Sequence, residues 1–107
     1  MILKGLTANG GVHVGEAKIV RKVEDLNKIK QGDIMVVKTS SPAFACGLFS
    51  AGALVSENGG TLFHLAILAR EVGVPCITGI RDATTILRDG DLVRVVGLEE
   101  GEVHVGE

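Results

Sequence analysis

The 107-residue chain contains no tryptophan, no tyrosine and only three phenylalanines. Its core must therefore come from Val, Leu, Ile and Ala, and an aromatic platform for stacking nucleic-acid bases is not expected. The formal net charge is −2, so the chain also lacks the basic surface that attracts nucleic acid or anionic lipid. Neither nucleic acid nor a membrane is expected as a partner.

Cysteines and long apolar runs are also scarce. Cys46 and Cys76 are far apart and form no CxxC pair, so neither a zinc site nor a disulfide framework is expected. Both thiols are predicted to be small core residues. No apolar signal core follows Lys4, and the weakly polar stretch 42–55 is too short to span a bilayer. These features predict a protein of the reducing cytoplasm.

The chain does have the composition of one folded domain. Hydrophobic residues make up 46% and charged residues 22%, which is typical of a globular chain. A length of 107 residues favours a single domain over residues 1–107, large enough for a real core. Fifteen glycines are what many tight turns between short strands require.

Short apolar segments alternate with turns and a few helices. Strands are predicted within residues 15–21, 34–37, 53–56 and 76–78, followed by a hairpin of residues 92–96 and 102–105. Helices are predicted from Pro42 to about Gly52 and near 83–87, and residues 23–30 are predicted to be a short amphipathic linker or helix. The pattern predicts a mixed α/β fold, either a sandwich or a barrel-like domain.

The segment 57–79 carries most of the functional information. Thr61 is a natural N-cap and Gly73 occupies the position after a helix end, so a helix is predicted over about residues 62–72. His64 then lies in the first turn, at the border of the solvent-facing side. Backbone N–H groups there lack intrahelical partners and the helix dipole is positive, so a multiply charged anion can be accommodated.

The glycine and histidine motifs of the chain also have simpler, structural interpretations. A histidine near a double glycine is a weak signal by itself, and Gly59-Gly60 is no P-loop because no Lys-Ser/Thr follows. The sequence His-Val-Gly-Glu at 13–16 recurs at 104–107, but no ligand spacing supports a metal site. We predict instead that His13 and His104 face solvent between inward-pointing valines.

The same segment combines the double glycine, His64, the run Ala66 to Glu71, and Gly73 to Pro75 before a small apolar strand. This combination resembles the phosphohistidine swivelling domain, or mobile domain, of the phosphoenolpyruvate-utilising enzymes. That family includes pyruvate phosphate dikinase, phosphoenolpyruvate synthase and enzyme I of the sugar phosphotransferase system. The likeness extends to residues 32–34, 41–42, 53–55, 82–84 and 89–93, and so covers most of the chain.

The resemblance implies a compact β/β/α domain that carries a phosphoryl group between sites on other domains. The implied phospho-accepting residue is His64, and the expected phosphate-binding residues are Gly59, Gly60 and Thr61. The expected partner-docking residues are Phe63, Ile67 and Arg70, with a structural ion pair as the alternative role of Arg70. The implied partners are an ATP-grasp-type nucleotide-binding domain, a phosphoenolpyruvate-binding barrel, or both, with magnesium at their sites. No metal or cofactor is expected on this chain alone. It would be a phosphotransferase component that is not catalytically complete.

Departures from the family pattern keep an alternative open. The family has Ser or Cys directly before its histidine, often preceded by Thr, whereas this chain has Phe63 and Leu62. Thr61 is displaced by one residue from that hydroxyl position. Leu65 replaces a small residue, and Val96 replaces a frequent Asp. The alternative function is a phosphorylation-inert interaction or regulatory module, or a small subunit of another enzyme, with the same fold.

Overall fold

Seven strands form one closed barrel within the residues that the structure describes. The structure is a computed structural model that describes residues 1–39, 41–59 and 64–106. The strands are β1 (Ile2–Asn9), β2 (Gly11–Val20), β3 (Ile34–Val37), β4 (Ala53–Ser56), β5 (Cys76–Thr78), β6 (Leu92–Gly97) and β7 (Gly101–Val105). Around the barrel their order is β1-β5-β4-β3-β2-β6-β7.

Helical segments connect the parallel part of the barrel. Strands β2, β3, β4 and β5 pair in parallel, and the remaining pairs are antiparallel. Parallel neighbours require crossover connections, and each of the three crossovers contains a helical segment. The helical segments are η1 (Val23–Lys28), η2 (Pro42–Phe49) and α1 (His64–Val72), with α2 (Ala83–Ile86) between β5 and β6. Both η segments are 3-10 helices.

The core has two layers that share the parallel strands. Ile34 and Val36 of β3 point into the barrel, whereas Met35 and Val37 pack outward against η2 and α1. All four residues of β3 and all four of β4 are buried, because parallel strands with helices outside have both faces covered. The mixed α/β, barrel-like fold predicted from the sequence is confirmed, and so is the hairpin of β6 and β7.

Some local expectations differ from the structure. Strand β1 was absent from the sequence-based expectation because only Ala8 of its eight residues is buried, which leaves a weak apolar pattern. Helix η2 ends at Phe49 rather than near Gly52. Cys76 is buried, and burial raises the pKa of its thiol to about 12, but Cys46 is exposed on η2. The prediction that both thiols are core residues is therefore wrong for Cys46.

The prediction that His13 faces solvent is also wrong. Val12 and Val14 are 58% and 52% exposed, whereas His13 is half-buried. His13 Nε2 lies 2.6 Å from the carbonyl oxygen of Gly32 and donates to it, since a carbonyl can only accept. The imidazole fills the space where a side chain at Gly52 would otherwise stand. His13 thus fastens β2 to the loop before β3.

His104 does not face solvent either. Its ring is nearly buried on β7, where Nδ1 lies 3.0 Å from Arg94 Nη2 and Nε2 lies 2.9 Å from Glu102 Oε1. Arginine can only donate, so Nδ1 accepts and Nε2 carries the proton that is donated to Glu102. Both repeated histidines therefore have roles in packing and hydrogen bonding within the barrel.

A buried ion pair joins β2 to the start of β3. Lys18 Nζ lies 2.8 Å from Asp33 Oδ2, and the same oxygen accepts the backbone N–H of Lys30 at 2.8 Å. Burial alone would raise the pKa of Asp33, but these two hydrogen bonds and the nearby lysine charges outweigh it and lower the pKa. The bond to Asp33 raises the pKa of Lys18.

Candidate functional site

The connection from β4 to α1 begins as an ordered extension of the sheet. The N–H of Glu57 donates to the carbonyl of Val37, and the N–H of Asn58 donates to that of Lys38, both at 3.0 Å. The Ser56 hydroxyl donates to the carbonyl of Asn58 at 2.6 Å. Gly59 has a φ of +100°, a conformation that glycine adopts without steric cost. The chain therefore leaves the barrel along a defined path.

His64 is the first residue of α1 and is exposed. The next residues, Leu65 and Ala66, are fully buried in the outer core layer, and Ala69 follows one turn later. The helix is thus fixed on one side, and the imidazole lies on its open side at the end where N–H groups lack intrahelical acceptors. The prediction of an accessible histidine at a helix start is confirmed. The helix ends as predicted at Val72, with Gly73 at a φ of +81°.

The other predicted site residues are described in part. Gly60, Thr61 and Phe63 lie outside the described residues, as does Leu62, so their assigned roles stay predictions. Ile67 follows His64 by three positions and is 42% exposed, although it is an apolar residue.

Arg70 lies six positions after His64 and has a structural contact. Its Nη2 donates to the carbonyl oxygen of Ala8 at 2.9 Å, which ties α1 to β1. A partner-docking role for Arg70 stays a prediction. Any such role would have to be compatible with this bond.

The carboxyl ends of the parallel strands meet beside this connection. The residues that follow β2, β3 and β4 are Arg21, Lys38 and Glu57, all of them charged. Ligands of parallel α/β sheets bind outside this end of the strands. The sequence-based prediction assigns no role to these three residues, although a charged residue directly after each of β2, β3 and β4 is a usable signal.

Glu57 makes the most extensive contacts of the three. Its Oε2 accepts both the backbone N–H of Thr84, at 2.8 Å, and the Thr84 hydroxyl. Burial alone would raise the pKa of Glu57, but the two bonds from Thr84 and the charges of Lys38 and Arg21 outweigh it and lower the pKa. Arg21 Nη2 donates to the carbonyl of Thr84 at 2.7 Å. One buried threonine on α2 therefore joins the ends of β2 and β4.

An open cleft of about 790 Å³ lies next to this cluster, between η1 and α2. Its charged lining residues are Arg21, Lys22, Lys28, Arg88, Asp25 and Asp89. Both carboxylates serve local structure. Asp89 accepts the N–H of Ile19 and Lys28 Nζ, and Asp25 accepts the N–H groups at 21 and 22. Both carboxylates of the cleft are therefore committed to local hydrogen bonds.

The described residues show neither a cluster of metal ligands nor a membrane-spanning helix. Across residues 1–39, 41–59 and 64–106, no three His, Cys, Asp or Glu side chains converge as a metal site would require. In the same ranges, no helix has the length and apolar character needed to cross a bilayer.

Comparison with known proteins identifies relatives along the whole chain. The chain is 38% identical over 106 residues to a probable phosphoenolpyruvate synthase of Archaeoglobus fulgidus, which covers 99% of this chain and 14% of that protein. It is 38% identical over 95 residues to a rifampicin phosphotransferase of Bacillus cereus, covering 89% of this chain and 11% of the relative. The chain therefore spans only a small part of the curated relatives that it matches.

A solved structure and a family model agree with these relatives. The solution structure of Enzyme I superposes with a TM-score of 0.64 at 28% identity, over 76% of this chain and 33% of that one. The family model of the PEP-utilising enzyme mobile domain matches residues 29–100, a range that includes the parallel strands β3 to β5, the connection from β4 and His64. The chain belongs to the mobile-domain family of the PEP-utilising enzymes.

Proposed function

We propose that this chain is a phosphoryl carrier that accepts a phosphoryl group on His64 and delivers it to an acceptor site elsewhere. The observation that carries the proposal is the exposed imidazole of His64 at the start of α1, in a mobile-domain family member. The helix start favours an adjacent anion by roughly 0.3–1 kcal/mol. That energy can bias phosphorylation but cannot drive it, so the donor must supply the driving force.

The proposed step is a nucleophilic displacement at phosphorus. The lone pair of the unprotonated ring nitrogen forms the N–P bond, while the P–O bond to the donor breaks and the leaving oxygen keeps its electron pair. The other ring nitrogen keeps its proton. An acceptor oxygen then attacks the phosphorus of the phosphoramidate, so that a P–O bond forms while the P–N bond breaks. The ring nitrogen keeps the electron pair of the broken bond, which restores the imidazole. Transfer of this kind depends mainly on in-line positioning and on charge stabilisation.

Those two requirements point to partner domains. The described residues contain no converging metal ligands, and the sequence has no P-loop, which supports a source outside this chain for most of the charge stabilisation at the transferred group. We propose that an ATP-grasp-type nucleotide-binding domain, a phosphoenolpyruvate-binding barrel, or both supply it together with magnesium. The relatives are much longer than this chain, which leaves room for such domains in them.

The direct test is a labelling experiment with a borrowed donor. The Archaeoglobus phosphoenolpyruvate synthase lacking its own matching segment is incubated with this chain, magnesium, and either ATP or phosphoenolpyruvate. We expect an intact-mass increase of one phosphoryl group, stable to alkali and lost in mild acid, as for a phosphoramidate. His64→Ala should abolish the label, whereas His13→Ala and His104→Ala should keep it. Label retained in His64→Ala would refute the assignment.

The isolated chain should show no turnover of ATP or phosphoenolpyruvate. Steady-state assays on highly purified protein check this expectation, with His64→Ala as the control for contaminating enzymes. Activity that is present in the wild type and lost in the variant would mean that the chain contains a complete active site.

The second candidate function is a phosphorylation-inert interaction module, and Phe63 at the family's hydroxyl position favours it. An absence of label with both donors would support this candidate. Restored labelling in Phe63→Ser would then identify the missing hydroxyl as the cause.

A further inference from the structure

The side chain of Glu57 caps a helix that is distant in sequence. Thr84 is the second residue of α2, and its N–H is among those that an N-cap residue normally satisfies. The residue at the N-cap position, Asp82, has a φ of +58° and makes no side-chain cap bond. Glu57 accepts that N–H instead, from 27 residues away. The cap therefore joins the end of β4 to α2.

Thr84 is well placed to act as an anchor. It is only 4% exposed, its hydroxyl and N–H both donate to Glu57, and its carbonyl accepts from Arg21. Neighbouring Ala83 is fully buried in the interior core of the barrel, so α2 cannot shift without disturbing that core. A contact to Thr84 is thus a contact to the rigid part of the molecule.

The chain is attached to the body of the domain on both sides of residues 60–63, which lie outside the described residues. Before them, the side chain of Glu57 is tied to α2, and the backbone N–H groups of Glu57 and Asn58 are bonded to residues 37 and 38. After them, the burial of Leu65 and Ala66 ties the start of α1 to the outer core layer. The second attachment orients α1, and the first sets where the connecting segment leaves the barrel. Removing the carboxylate would leave the N–H of Thr84 without this acceptor, and the start of the connection would keep its backbone bonds to residues 37 and 38 but lose its tie to α2.

On the basis of the carrier function proposed above, on which this role rests, we propose that Glu57 is a positioning residue for phosphoryl transfer. Through its bonds to Thr84 it fixes the point at which the chain leaves β4 toward His64, so that the imidazole meets the donor phosphorus in line. A misplacement of about 1 Å can cost roughly 100-fold in rate when a reaction depends on orientation. Partial release in a Glu57 variant should therefore cost at least about tenfold.

The experiment separates transfer rate from binding and from folding. Single-turnover labelling of His64 is measured over a range of donor concentrations, well below each variant's melting temperature, for wild type, Glu57→Ala, Thr84→Val and Thr84→Ser. Glu99→Ala, an exposed carboxylate in the turn between β6 and β7, is the control matched for charge. Hydrogen exchange of peptides covering residues 57–64 and 80–87 is followed in the isolated chain without any donor.

We expect Glu57→Ala to lower the maximal rate at least about tenfold with little change in the half-saturating donor concentration. Thr84→Val should lower the rate less, because the Thr84 N–H still reaches Glu57, and Thr84→Ser should restore it. The double variant Glu57→Ala/Thr84→Val should be no slower than Glu57→Ala alone, because both substitutions then remove the same contact and their effects do not add. Exchange should accelerate in both peptides of Glu57→Ala and in neither of Glu99→Ala.

The experiment distinguishes failure of the carrier function from failure of the positioning role. A wild-type chain that takes no label refutes the carrier function and the positioning role with it, whatever exchange shows. A wild-type chain labelled on His64 at the same maximal rate as Glu57→Ala refutes the positioning role alone. Unchanged exchange of the 57–64 peptide in Glu57→Ala would also refute it.

Discussion

Replacing Leu65 with alanine tests whether the core fixes the helix that carries His64. Leu65 directly follows His64, is fully buried, and packs in the layer between the barrel, η2 and α1. The substitution removes three carbon atoms, worth about 2.4 kcal/mol at about 0.8 kcal/mol for each buried carbon. The cavity left behind adds to this, and buried Leu→Ala substitutions cost about 2–5 kcal/mol in total.

A loss of that size is a large fraction of the stability of a small domain, which is about 5–15 kcal/mol. We therefore expect the melting temperature of Leu65→Ala to fall by more than about 10 °C. Urea unfolding followed by far-UV circular dichroism is the suitable assay, because the chain has no tryptophan or tyrosine for fluorescence. An unchanged m-value is needed for the difference in midpoint to be read as a difference in stability.

Ile67→Ala is the matched control, since it removes a similar volume from the same helix two residues later. Ile67 is 42% exposed, and alanine is the better helix former, so its cost should stay below about 1 kcal/mol. Equal costs for Leu65→Ala and Ile67→Ala, or a cost below about 1 kcal/mol for Leu65→Ala, would refute the packing of α1 described here.

Three further predictions concern other parts of the fold. The pKa of Asp33 is lowered in the folded chain, so its ionised carboxylate stabilises the fold. This stability is present above the ordinary Asp pKa of about 3.9 and is lost as the pH falls through the lower pKa of the folded chain. Asp33→Asn should therefore lower the free energy of unfolding at neutral pH and flatten its decline below about pH 4 in urea titrations; an unchanged decline would contradict this. A thiol reagent should modify native protein at exposed Cys46 only and reach Cys76 after unfolding, as mass spectrometry of the labelled peptides would show. A Cβ at Gly52 would overlap the His13 ring, so Gly52→Ala should cost about 1–3 kcal/mol in urea unfolding. That cost should shrink when His13→Ala is also present, and full additivity would count against the contact.

Local sequence was sufficient to predict those elements whose structure depends on residues close together in the chain. The apolar period after His64 and the glycine at 73 predicted α1 and its end, because helix packing and the positive φ at Gly73 are both encoded within a few residues. The hairpin of β6 and β7 was predictable for the same reason. The exposure of His64 followed from its position on the helix, but Thr61 and the other residues directly before His64 lie outside the described residues.

The orientation of His13 illustrates what a short pattern leaves open. Alternation of valine and histidine shows that the side chains occupy two faces of a strand, but not which face is inside. In β2, His13 is in phase with Ala17 and Ile19, which point into the barrel, so the two valines beside it must point outward. Only the closed sheet, which brings Gly32 and Gly52 against the imidazole, decides that a histidine fits there.

The family, the α/β class and the helix that carries His64 were predictable from the sequence, because they depend on local periodicity and on a motif confined to one segment. The closure of the barrel and the placement of β1 were decided by tertiary structure, since they depend on pairing between distant strands. The same holds for the anchor between Glu57 and Thr84, whose partners are 27 residues apart. Nothing in the sequence near either residue specifies the other, and the contact exists only because the barrel brings the end of β4 to the first turn of α2.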